Sequence, residues 1–157
     1  MTNRKNLHDY GLVLILLGVL NLFNFLSTII ASMVDGSITN AFADVESDII
    51  VAVRVVLTII GLLMSLLSFA DAFVGIKALK VSAKPTAENG YIIAAKVFFV
   101  FSVLSVIAGI IVLTDGNGQI VDKIINLANA VLSVVIYVYF IKAAQAVRRD
   151  VLNGEVK

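Results

Sequence analysis

Four long apolar segments constrain the fold of this chain more than any other feature. They cover residues 10–34, 49–79, 90–114 and 120–147. A helix needs about 20 apolar residues to cross the hydrocarbon core of a bilayer, and each segment reaches this length. Apolar residues make up 60% of the chain and its mean hydropathy is +1.02, which is the composition of an integral membrane protein. We therefore predict an all-α, integral membrane four-helix bundle, most simply up-down-up-down, in a single four-span domain covering residues 1–157.

Charged residues are separated between the two ends of the predicted bundle. The loop 35–48 is acidic, whereas the loop 80–89 and the tail 148–157 are basic. Cytoplasmic segments of membrane proteins carry an excess of Lys and Arg. The pattern therefore predicts that both termini are cytoplasmic and that the protein is a multi-pass protein of a plasma (inner) membrane.

Turn residues predict where the helices end. The stretch TDGNGQ, residues 114 to 119, leaves room only for a tight hairpin between the last two spans. Pro85, the only proline, is expected in the first turn of a helix, and Asn153 with Gly154 is expected to stop the final helix.

A weak internal repeat links the second and fourth spans. The second span ends GIKALKV and the fourth ends FIKAAQAV, and a serine precedes each isoleucine by eight residues. This pattern fits two helical hairpins repeated in parallel orientation. A basic residue at each inner helix end would produce the same similarity without duplication, so both explanations stay open.

Two asparagine motifs place polar groups inside apolar spans. The first, NLFNFLST, contains Asn21, Asn24 and Thr28, and the second is NLANAVLS. Residues three, four and seven apart share one face of a helix. The face of the fourth span carries the corresponding residues Asn126, Asn129 and Ser133.

Counted from the outer boundary, these two stripes match in depth. Amides in hydrocarbon need hydrogen-bond partners, and each bond between helices contributes about 0.6 to 2 kcal/mol. We therefore predict that the stripes form a contact between the first and fourth helices.

An outer polar cluster is predicted around Arg54, about six residues inside the outer end of the second span. Thr58 and Asp122 fall within about one helical turn of its depth. An arginine in a membrane needs an oxygen-bearing partner. Three interpretations stay open: a pair between Arg54 and Asp122, an arginine that reaches outer phosphates, and an outward-facing site for an anionic headgroup or carboxylate.

Two further charges, Asp71 and Lys96, lie within the spans near the cytoplasmic side. A charge inside a span is costly and often functional, so a proton or ion relay through Asp71 is one hypothesis. The alternatives are that the two residues pair, or that Lys96 extends to the headgroups while Asp71 binds a hydroxyl or a lysine.

Several classes of function lack the residues that they need. The chain has no cysteine, and its one histidine, His8, lies in the polar N-terminal stretch, so we expect no metal site, no cofactor and no catalytic residue. It also lacks a basic stripe with aromatic residues, so we expect no nucleic acid partner.

Two functional hypotheses remain. The first is a non-catalytic membrane subunit or interaction partner of a larger complex or homo-oligomer, with membrane lipids and another membrane protein as partners. The alternative is a small transporter or channel element with an outward-facing polar cavity around Arg54 and a relay carboxylate at Asp71.

Overall fold

A computed structural model of the protein describes residues 2–34, 47–114 and 120–155. Four helices account for nearly all of these residues: α1 (Thr2–Val34), α2 (Ser47–Ala83), α3 (Gly90–Thr114) and α4 (Ile120–Leu152). The described residues contain no strand, so the all-α prediction with four helices is confirmed. Most of the acidic loop and the turn at 115–119 lie outside the described residues. The up-down order of the whole bundle and the parallel repeat stay predictions.

Three of the helices carry segments that are long and apolar enough to cross a membrane. Within the described residues these segments are Thr2–Phe23, Gly90–Thr114 and Lys123–Leu152. The bounds of α3 coincide with the predicted span, whereas α1 begins eight residues earlier than predicted and α4 continues five residues further. The predicted span within α2 stays a prediction, because many side chains of that helix lie outside the described residues.

The chain forms two compact units. One unit comprises Met1–Ile15 and Phe73–Lys157, and the other comprises Leu16–Ala72. In the first unit, the core is built from side chains of all four helices. Its largest fully buried members are Phe140, Leu7, Leu14, Ile92, Val74 and Val147.

The helices α3 and α4 run antiparallel in the first unit. Near the start of α3, the rings of Tyr91 and Phe140 meet edge to face at 6.3 Å between centroids. Near its end, Gly109 lies against Leu127. A residue near the start of α3 thus contacts a late residue of α4, and a residue near the end of α3 contacts an early one. The two helices are therefore antiparallel, as expected for a hairpin with a short connection.

Small residues bring α1 and α2 into close contact. In the first unit, the backbones meet at Gly11 and Gly75. In the second unit, Gly18 packs on the backbone around Ser68 and Ala72. The spacing of small residues along α2 predicts a ridge for close helix approach, and the contacts of Ser68, Ala72 and Gly75 confirm it for these positions.

The end of α2 is set by Pro85. The last helical bond of this segment runs from the Lys84 N–H to the Lys80 carbonyl at 2.9 Å, and Pro85 has no N–H to continue the pattern. Helix α3 begins at Gly90. The carbonyl of the preceding residue, Asn89, accepts hydrogen bonds from the N–H groups of Ile92 and Ile93. The prediction that Pro85 lies in the first turn of a helix is therefore wrong, because the helix starts after Asn89, a residue favoured at that position.

The end of α4 follows the prediction. Gly154 has a φ of +72°, the left-handed conformation that glycine adopts most easily. The Glu155 N–H donates to the Asp150 carbonyl at 2.9 Å, and the Gly154 N–H donates to the Val151 carbonyl at 3.1 Å. These two bonds form a Schellman motif, which satisfies carbonyl groups at the helix end.

Candidate functional site

The predicted polar stripe of α4 lies on the surface of the structure. Asn126 and Asn129 are exposed, and Ser133, one turn further along the same face, is half-buried. The Ser133 hydroxyl donates a hydrogen bond of 3.0 Å to the Asn129 backbone carbonyl in the same helix. The polar groups that this face offers to a neighbour are therefore the two amides.

The corresponding stripe of α1 is described only in part. Asn21 is half-buried. The predicted contact between this stripe and α4 stays a prediction, and so does the predicted outer cluster. The side chains on which they depend lie outside the described residues: Asn24, Thr28, Arg54, Thr58 and Asp122.

The two predicted intramembrane charges have different surroundings. Asp71, on α2, is half-buried and interacts with another group of the protein. Lys96, on α3, is exposed and lines a groove together with Lys142 of α4. A direct pair between Asp71 and Lys96, and a relay through Asp71, stay predictions.

Polar side chains join the ends of three helices in the first unit. Arg4 of α1 donates two hydrogen bonds, both of 2.9 Å, to the backbone carbonyls of Ser82 and Ala83 at the end of α2. The Asn3 amide donates to the Asp150 carboxylate of α4 at 3.1 Å. The first turn of α1 is therefore held by both α2 and α4.

These contacts, which were not among the predicted site residues, have a clear physical cause. The last carbonyls of a helix have no partner within it and carry partial negative charge, so a guanidinium group is a favourable donor to them. The signal that points to Arg4 is its position on the same predicted membrane side as the end of α2.

The connection between α2 and α3 forms a basic cleft of about 180 Å³. The Lys77 ammonium lies 3.8 Å from the Glu88 carboxylate, and the Thr86 hydroxyl is buried without a hydrogen-bond partner. One carboxylate thus faces three ammonium groups, so the cleft is positively charged. Its lining residues are Lys77, Lys80, Val81, Lys84, Thr86 and Glu88.

The ionisable side chains of this end of the molecule hold helices together and present positive charge that can bind an anion. His8 lies 3.2 Å from the Asp9 carboxylate, and both side chains are about half exposed. In the described part of the chain, no three His, Asp or Glu side chains come together to hold a metal ion.

Comparisons of the chain with family models, with curated proteins and with solved structures found no match.

Proposed function

We propose that the protein is a non-catalytic membrane subunit that associates through its helices with a second copy of itself or with another membrane protein. The observation that carries this proposal is the exposure of Asn126 and Asn129 on one face of α4. Both residues lie within Lys123–Leu152, a segment that is long and apolar enough to cross a membrane. In a membrane, this face would bring two amides into contact with lipid unless another helix covers it.

Energetics favour a covered face. An amide without a hydrogen-bond partner in an apolar medium costs several kcal/mol, and a hydrogen bond to a neighbouring helix removes most of that cost. The neighbours of the two amides on α4 are large exposed apolar residues, among them Ile125 and Leu132. The asparagines are thus the polar centre of an otherwise lipid-compatible surface, as expected for a helix contact.

Cross-linking in native membranes tests the proposal. Because the chain has no cysteine, Asn126→Cys and Asn129→Cys each introduce a single thiol. We expect either variant to form an adduct on oxidation or with a short bifunctional thiol reagent. An adduct of twice the chain mass identifies a second copy, and any other mass identifies a different partner. The matched control is Val131→Cys, which is exposed on the opposite face of the same helix and should give little adduct.

Two results would contradict the proposal. If Asn24→Cys combined with Asn129→Cys forms a disulfide within one chain, the amides face α1 and the surface is internal. If a membrane-impermeant thiol reagent labels Asn129→Cys from the aqueous phase, the face lines a water-filled cavity, and the transporter or channel hypothesis takes its place.

A further inference from the structure

A groove of about 430 Å³ runs between α3 and α4 on the outside of the first unit. Two lysines and four large apolar residues form its walls. No small residue lies among them, so the backbone of another helix cannot approach closely here. The lining residues are Lys96, Phe99 and Val100 of α3, with Val138, Ile141 and Lys142 of α4.

Within the part of the chain that the structure describes, the two lysines of this groove have no acidic partner. Lys96 and Lys142 are both exposed, and neither forms an ion pair within the described residues. The Lys142 ammonium lies 5.9 Å from the centre of the Tyr139 ring, which is a contact with an uncharged group. Both lysines belong to segments that are apolar enough to cross a membrane. Two cations that share a groove at this level favour an anion between them.

The apolar walls extend from the lysines in a single direction. Phe99 and Val100 follow Lys96 by about one turn of α3, and Val138 precedes Lys142 by about one turn of α4. Because the two helices run antiparallel, both turns lead away from the lysines towards the same end of the hairpin. The lysines therefore lie in the part of the groove nearer the start of α3, with Val138 at about the level of Lys96. Phe99 and Val100 form an apolar end deeper in the membrane.

We propose that this groove binds one anionic phospholipid. The phosphate lies between Lys96 and Lys142, and one acyl chain lies along Phe99, Val100 and Val138. A lipid fits because long basic side chains near the ends of membrane spans extend to the headgroup level, and basic pockets between helices bind acidic headgroups. A flexible acyl chain also fills a groove with bulky walls better than a helix does. This site is separate from the asparagine face and does not rest on the proposed subunit role.

Native mass spectrometry of the full chain in mild detergent tests the site. With phosphatidylglycerol at low molar ratio, we expect one retained lipid, and with phosphatidylcholine we expect at least tenfold lower occupancy, because phosphatidylglycerol has a net negative charge. The variant Lys96→Gln/Lys142→Gln should lose phosphatidylglycerol by about tenfold or more. An excess of inorganic phosphate should leave the lipid bound, because the acyl chain contributes to binding.

Two further variants separate a specific site from general attraction. Lys80→Gln/Lys84→Gln removes the same charge from the basic cleft outside the groove and should keep the lipid. Val100→Trp fills the groove at an exposed position without changing charge, and it should lower phosphatidylglycerol binding several-fold with unchanged helix content. The proposal is overturned if the two lipids bind equally, if both lysine pairs lower binding equally, or if phosphate displaces the lipid.

Discussion

Gly75 lies so close to Gly11 that a Cβ atom on Gly75 would come within 2.5 Å of the Gly11 carbonyl oxygen. It would also come within 2.7 Å of the Ile15 side chain and 3.0 Å of the Ile15 backbone nitrogen. Two of these three atoms belong to the backbone of α1, which cannot move aside as the end of a side chain does. The contact between α1 and α2 therefore depends on the absence of a side chain at Gly75.

We expect Gly75→Ala to lower the free energy of unfolding by about 1 to 3 kcal/mol, the usual cost of overpacking. Unfolding by SDS in mild detergent, followed by circular dichroism, measures this change. The control is Gly90→Ala, because no atom lies within 4 Å of a Cβ at Gly90, and its effect should be within about 0.5 kcal/mol. Equal stability of the two variants would show that α1 and α2 are not held at this distance.

A smaller loss is expected for Gly109→Ala. Here the nearest atom to a new Cβ is the terminal methyl group of Leu127 at 3.1 Å, and a leucine side chain can shift by a few tenths of an ångström. The free energy of unfolding should fall by less than about 1 kcal/mol. A loss as large as that of Gly75→Ala would mean that the α3–α4 contact is as rigid as the α1–α2 contact.

The left-handed residue at the end of α4 gives a different prediction. Gly154→Ala adds no contact, since nothing lies within 4 Å of its Cβ, but it forces a positive φ on a residue with a side chain. We expect a local cost of about 1 kcal/mol, seen as faster amide hydrogen exchange at Asn153 and Glu155. Asn153→Ala, which leaves the φ of Gly154 unchanged, is the control. Gly154→Asn should lie between the two, because asparagine tolerates this conformation better than alanine.

Removing the guanidinium of Arg4 should loosen the end of α2. Arg4→Gln loses two hydrogen bonds to the Ser82 and Ala83 carbonyls, and one of these bonds is exposed, so we expect a loss of only about 1 kcal/mol. Limited trypsin cleavage after Lys80, an exposed residue in the last turn of α2, should become faster. Lys5→Gln removes a neighbouring exposed charge and should leave cleavage unchanged. Equal cleavage of the two variants would contradict the structural role of Arg4.

Membrane orientation is tested by reporter fusions. We expect fusions after Lys84 and after Lys157 to report a cytoplasmic location, and a fusion after Asn117 to report an external one, because basic residues are concentrated near the first two sites. An external signal at Lys84 would reverse the orientation, and with it the depths assigned to the asparagine stripes.

The ends of a helix could be predicted from the sequence where nearby residues determine them. They could not be predicted where residues far along the chain determine them. The α3 bounds match the prediction, and the Gly154 stop is confirmed, because each depends on residues within about one turn. The α1 start was predicted too late because the polar residues before Tyr10 do not resemble a span. Their helix is held by Asn3 and Arg4 through groups far along the chain.

The candidate site shows the same limit. Helical spacing places Asn126, Asn129 and Ser133 on one face of a helix, and all three positions are helical in α4. Spacing cannot tell what covers a face, because that depends on how separate helices pack. The groove that carries Lys96 and Lys142 was missed for the same reason, since its walls come from two helices whose contributing residues lie about 40 positions apart.

The hydrogen bond between Asn3 and Asp150 joins residues 147 positions apart, so it also imposes an order of assembly. During translation, Arg4 can reach the end of α2 once residues 82 and 83 have been synthesised, but Asn3 must wait for about 70 further residues. At ordinary rates of protein synthesis this delay is roughly 3 to 14 s. During that interval the start of α1 is held by α2 alone. The bond to Asp150 forms only after α4 has been synthesised.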